Sequence, residues 1–338
     1  MKKGNESVAQ ADELQILLNL YDDELTLSYP IFPHFDVLRA NVHEDGYDLE
    51  LISGMDDYKD KADSFGEYSD EMPSFYDLRD CLLSSGVIKH ENLEELEKYV
   101  NRRVESGVKR VFFCPDTNIL YQNFLSSFGK IKLRNVAIPD TVKDELKNKL
   151  NSKYGRTELQ LMKQHAKCQG NLLDELNNRR KKASRKASYL AMQEYERFSG
   201  KTITAQREST YDSGENDRII VESLRSYEKN NPVRVTLLTA DDSLRDLCRA
   251  EDLDHFYLKV PHNFEADSCS HGEFLTLIRN LSLVFGFVKL NSSIIFGEFG
   301  GKNRADALKL RFLDKKVYKE FKKHQKICRE LNKLGIRK

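Results

Sequence analysis

The chain has 338 residues, 39% apolar and 32% charged, with 54 Lys/Arg exactly matched in number by 54 Asp/Glu. That length predicts two or three domains; no run of about 18 uncharged apolar residues exists (274–288 is broken by Arg279), and MKKGNESVAQ lacks a signal-peptide core, so no membrane span and a cytoplasmic location are expected. The balanced charge hides an asymmetry, since residues 1–100 carry 8 Lys/Arg against 24 Asp/Glu and the rest carry 46 against 30, a split that predicts a nucleic-acid-binding part beside an acidic one.

In chain order, ADELQILLNLYDDELT (12–27) reads as a short amphipathic helix. DVLRANVHEDGYDLELISG alternates around Glu44-Asp45-Gly46 and predicts a hairpin with Asp-Gly in the turn. Residues 56–71 are acidic and poor in aliphatics, so they read as a loop or linker. Helices are expected at 74–84 and 91–105. From Lys109 the texture changes. The apolar runs RVFFC, NVAIP, VRVTLLT and HFYLKV alternate with helical patterns, as buried parallel strands do, which predicts an α/β domain over about 109–265. Residues 147–209 interrupt it and are read as a helical insertion, with helices near 157–178 and 183–198, because a structureless loop of that length is improbable. LSLVFGFVKLN, SSIIFGEF and ALKLRFL then predict two or three antiparallel strands, and a basic helix over 314–334 ends the chain. The expected organisation is therefore an acidic α+β region at 1–105, the α/β domain at 109–265 and a strand region with a basic helix at 270–338.

Six cysteines, Cys81, Cys114, Cys168, Cys248, Cys269 and Cys328, form no CxxC pair and read as reduced thiols. His165 with Cys168, and Cys269 with His271, have no second half at zinc-ligand spacing, so a structural zinc is not expected.

The acids carry the chemistry. Asp116 ends the run VFFCP and precedes TNIL, so it either caps a helix beginning at Thr117 or forms one corner of an acidic site. In PDTVKDELKNKL, Asp140 is a good N-cap; Val142, Leu146 and Leu150 form the buried stripe, and Glu145 borders it. In SGENDRIIVESLRSY the apolar face is Ile220, Leu224 and Tyr227. Asp217 shares that face, whereas capping alone would favour Ser213 or Asn216. Asp241 and Asp242 follow the strand VRVTLLT, as Asp116 follows its own. Grouped carboxylates repel one another and call for a cation, and an oxygen-only donor set suits Mg2+ or Mn2+.

The order strand–DTN, P-x-x-V-x-x-E-L, D-x-I-I and L-L-T-x-D resembles the PIN-domain nuclease family over about 109–262. It maps onto Asp116-Thr117-Asn118, Pro139 to Leu146, Asp217 to Ile220 and Leu237 to Asp241. The resemblance implies a Rossmann-like parallel sheet with helices on both faces and a pocket holding one or two divalent ions. It also implies cleavage of RNA, less often of DNA flaps. It gives Asp116, Glu145, Asp217 and Asp241 as catalytic metal ligands, with Thr117 and Asn118 holding the first aspartate and Thr239 supporting. Asp242 has no settled family role and is read as an extra ligand.

The gap of 72 residues between Glu145 and Asp217 is longer than such a domain needs. Residues 146–209 hold 15 Lys/Arg against 6 Asp/Glu, and Arg179, Arg180, Lys181, Lys182, Arg185 and Lys186 are read as RNA-backbone contacts on a basic arm; a solvated hairpin or a partner-binding arm is the alternative. Residues 303–338 add 13 against 4, with Tyr318 and Phe321 among the lysines either stacking on bases or forming the helix's buried face.

The expected function is a metal-dependent endoribonuclease of RNA processing or decay, and the alternative is a PIN-fold RNA-binding scaffold without catalysis. A phosphatase of the D-x-D-x-T type is excluded, because Thr-Asn-Ile follows Asp116. The acidic N-terminal region either repels RNA, shields the basic part, or offers a surface for a homo-oligomer or protein partner.

Overall fold

Strand pairing between distant parts of the chain decides the architecture. The computed structural model describes residues 5–21, 23–105, 109–205, 207–210, 212–262, 266–299 and 307–336; the chain ends and parts of the basic tract 303–338 lie outside the described residues. The chain divides into two units, one made of residues 1–81, 153–185 and 265–338, the other of residues 82–152 and 186–264. The three consecutive regions expected from sequence are thus corrected. The N- and C-terminal regions are one body, and half of the insertion belongs to it.

The first unit is built on an eight-stranded antiparallel sheet. Its spatial order is Glu6–Gln10, Ala307–Phe312, Ser293–Phe296, Phe287–Leu290, Glu24–Ser28, Asp36–His43, Gly46–Leu51 and Ser268–Ser270. The expected hairpin is present, with Glu44 and Asp45 between the paired His43 and Gly46. Gly46 is required there, since a Cβ on it would stand 2.0 Å from the carbonyl oxygen of Cys269 in the neighbouring strand. The helix His271–Phe285 starts at a capping box in which Ser270 and Glu273 bond each other's backbone N–H. Its Phe274 ring lies 4.3 Å from that of Tyr47.

Three local expectations are corrected in this unit. Only Leu14–Leu18 of the 12–27 segment is helical; Leu25 and Leu27 alternate with polar residues and are taken by the strand Glu24–Ser28. Residues 56–71 form the helix Met55–Asp63, whose start is held by Asp57 accepting from the Gly54 N–H, and a 3-10 turn at Gly66–Glu71. LSLVF is the end of the helix His271–Phe285 and not a strand, because this helix is apolar nearly all round and buried. Both ends of the chain also neutralise each other here. Glu6 pairs with Arg311 (2.8 Å) and Lys309 (3.1 Å), and Glu13 with Arg329 (2.6 Å). Phe321 is fully buried, as the face-forming reading had it.

The second unit holds the parallel strands. Arg110–Pro115 pairs with Val233–Thr239, which pairs with His255–Tyr257. Ile138–Pro139 pairs with Thr202–Ile203, and a bridge between Phe113 and Val136 joins this pair to the others. Continuous burial of Val111, Phe112, Phe113 and Cys114, and of Val235, Leu237 and Leu238, explains the unbroken apolar runs. Val142, Leu146, Ile220 and Leu224 enter the same core from the helices Asp140–Lys149 and Ser213–Asn230. The segment between these helices is mixed rather than a simple pair of helices. It has α-helix at Arg156–His165, a 3-10 stretch at Gly170–Leu176, a short helix at Lys182–Lys186, a π-turn at Ala187–Ala191 and a helix at Met192–Phe198. Among the described residues no helix is long and apolar enough to cross a membrane.

Candidate functional site

The register Cys114↔Leu237 and Pro115↔Leu238 ends two parallel strands side by side, and each is followed at once by an acid-bearing turn. Asp116 is the N-cap of the helix Thr117–Tyr121, its Oδ1 accepting from the Ile119 N–H at 2.7 Å. Its Oδ2 accepts from Thr239 Oγ1 at 2.5 Å. The same hydroxyl oxygen accepts the backbone N–H of Asp241 at 2.9 Å. The two readings of Asp116 are therefore both true, since it caps a helix and also lines a cleft of about 370 Å3.

The other acids reach that cleft from separate segments. Glu145, on Asp140–Lys149, accepts from Thr117 Oγ1. Asp217 lies in the first turns of Ser213–Asn230, whose N-cap is Asp212, bonded to the N–H of Gly214 and Glu215; neither of the expected caps holds that place. Asn216 instead clamps the backbone of Thr210, accepting from its N–H and donating to its carbonyl. Asp241 caps Asp242–Ala250 through the N–H groups of Ser243 and Leu244. Asp116, Glu145, Asp217 and Asp241 all line the cleft, with Thr117 and Asn118.

Electrostatics mark the cleft as one site. Burial, followed by the charges of Asp241 and Asp217, pushes the Asp116 carboxyl up to about 7 against the bonds from Thr239 and Ile119. Asp217 is pushed up to about 6, first by burial and then by Asp241 and Glu145. Each acid feels its neighbours, as carboxylates do where one cation is to be shared.

Several expectations change at residue level. The first aspartate is held by Thr239 and the Ile119 N–H, while Thr117 holds Glu145, because the helix beginning at Thr117 turns that hydroxyl toward the Asp140–Lys149 helix. Asp140 caps nothing; it is the first residue of its helix and accepts from the Ala205 N–H. Asp242 is exposed, pairs with Arg245 at 2.6 Å and does not line the cleft, since as the first helical residue it faces the next turn.

The basic run is engaged inside the first unit. Arg180 pairs with Glu298 at 2.8 Å, Lys181 with Glu158, and Lys182 with Asp77 at 3.0 Å. Arg185 is only 1% exposed; it donates to the carbonyls of Arg180 and Val284 and lies over the Tyr154 ring. Arg179 is half-buried beside the same glutamate-lined crevice. These side chains are structural because their carboxylate partners come from distant sequence. Lys186 belongs to the second unit, its Nζ 5.6 Å from the centre of the Tyr121 ring.

The cleft also contains residues that the sequence reading passed over: Tyr121, Asn148, Lys149, Thr210 and Asn216. A signal existed for two of them, as Asn148 and Lys149 follow Glu145 by three and four residues and so share its helix face.

The donor set is oxygen-only, which fits Mg2+ or Mn2+. No three His, Cys, Asp or Glu among the described residues stand close enough to enclose an ion directly. Mg2+ is commonly held by one or two carboxylates with waters completing its shell, so the set fits a hydrated ion.

Compared with known proteins, residues 113–258 match a family described as PIN domain. No curated protein matches the chain.

Proposed function

We propose that the PIN domain carried by residues 113–258 is a divalent-metal-dependent endoribonuclease acting in RNA processing or decay. PIN domains are generally nucleases that act on RNA with divalent metals. One observation carries the finer reading, namely that four carboxylates from four separate segments, Asp116, Glu145, Asp217 and Asp241, line one cleft at the ends of parallel strands. A bound Mg2+ or Mn2+ supplies activation of water and stabilisation of the leaving oxygen in phosphodiester cleavage.

The chain's own residues prepare the place for it. Thr239 and the Ile119 N–H fix both oxygens of Asp116, so this carboxylate cannot swing away. Thr117 does the same for one oxygen of Glu145. Asp217 is half-buried and has no such tether among the bonds described, and mutual repulsion with Asp241 and Glu145 leaves it the acid most relieved by a cation. The protein is proposed to work in the cytoplasm.

The competing reading is an RNA-binding scaffold without catalysis, and one observation favours it: no three acids close directly around a point. A cleavage assay on a labelled oligoribonucleotide with Mn2+ or Mg2+, comparing the parent with Asp217→Asn, separates the two. Metal-dependent cuts within the strand that vanish in the variant are expected. No cleavage by the parent in either metal leaves the scaffold reading.

A further inference from the structure

We infer that Lys149 and Lys186, set about the ring of Tyr121, hold the phosphate backbone of a single RNA strand at the rim of the acidic cleft. The inference rests on the nucleolytic reading above and names how the substrate is held.

An acidic cleft repels a polyanion, so cations must stand beside the acids to bring phosphates in. Tyr121 lines the cleft and is 8% exposed. The Nζ of Lys149 lies 5.8 Å from the centre of its ring and that of Lys186 lies 5.6 Å from it. Lys149 is exposed and itself lines the cleft, four residues beyond Glu145 on one helix. Lys186 comes from a different segment, and the shared ring brings it to the same place.

The kind of contact matters. A carboxylate partner neutralises a lysine, as Asp77 does for Lys182 and Glu158 for Lys181. A ring face orients the ammonium group and leaves its unit charge in place, still able to attract a phosphate. Of the basic run 179–186, only Lys186 is set over a residue of the acidic cleft. The cleft has the size of a small-molecule pocket, which admits the nucleotides of one strand and not a duplex.

The test measures binding of a fluorescent single-stranded oligoribonucleotide to the full chain in EDTA, as a function of salt. Lys149→Gln and Lys186→Gln should each flatten the slope of log K against log salt by about 0.7, and the double variant by about 1.4. Lys→Arg at either position should restore the slope, which a merely structural role would not require. Lys147→Gln, whose ammonium faces Asp144 and lies outside the cleft, should leave it unchanged. Lys149 is exposed, so if Lys186→Gln fails to fold, Lys149→Gln decides alone. Parental slopes in folded Gln variants, or no RNA binding by the parent, overturn the inference. Metal-dependent cleavage with unchanged slopes sinks this inference alone, whereas shifted slopes without any cleavage sink the nuclease reading alone.

Discussion

The hydroxyl of Thr239 donates to Asp116 Oδ2 at 2.5 Å while its oxygen receives the N–H of Asp241 at 2.9 Å. One neutral side chain at the end of a parallel strand thereby joins the acid of the neighbouring strand to the acid of its own turn.

Thr239→Val tests that link. The valine keeps the shape and removes the donor, leaving a buried carboxylate oxygen without its partner. A loss of about 1–3 kcal/mol in urea unfolding is expected, together with weaker Mn2+ binding by calorimetry. Unchanged stability and metal affinity would show that Asp116 needs no fixing.

Asp217→Asn separates activity from stability. This carboxyl is raised by burial and by the charges of Asp241 and Glu145, so removing its charge relieves the folded protein. The metal-free variant should melt at or above the parental temperature while cleavage falls by about 100-fold or more. A lower melting point would mean that Asp217 is a structural acid.

The raised carboxyl of Asp116 also makes stability depend on pH. Its folded value is about 7 against an ordinary 3.8, so between these values the folded protein holds a proton that the unfolded chain has lost. The associated stability is complete below about pH 4 and is lost as pH rises through 7. Thermal melts in EDTA should therefore fall from pH 5 to pH 8 (roughly the window these values span), and Mn2+ should raise the melting point more at the upper end. A melting point that rises over this range in EDTA would contradict the buried acid.

Arg185→Ala should destabilise by about 2–5 kcal/mol in urea unfolding, because the carbonyls of Arg180 and Val284 lose their donor and a large buried side chain leaves a cavity. Lys181→Gln and Lys182→Gln should leave the salt slope of RNA binding unchanged, since Glu158 and Asp77 already neutralise them. A flattened slope in either would return these lysines to the RNA surface.

Much of the site was legible because its signals are local. A carboxylate one residue past an apolar strand, or on the inward face of a first helical turn, is set by backbone periodicity within a few residues, and Asp116, Glu145, Asp217 and Asp241 all line the cleft on that ground. Asp242 illustrates the limit. It sits one residue from Asp241, and only the start of the helix Asp242–Ala250 decides that it turns to Arg245 instead.

By itself the sequence determined the strand and helix texture of 109–262, the hairpin at Glu44-Asp45 and the identity of the acids, because each depends on neighbours along the chain. Tertiary structure alone decided what the charges do. The strand Glu6–Gln10 pairs with Ala307–Phe312, and Arg180 meets Glu298, across gaps that leave no local periodic signal. A basic run looks the same in sequence whether water, phosphate or a distant carboxylate faces it. Here buried carboxylates and carbonyls claim Arg180, Lys182 and Arg185, while the Tyr121 ring receives Lys186, because desolvated cations are stable only where such partners are supplied.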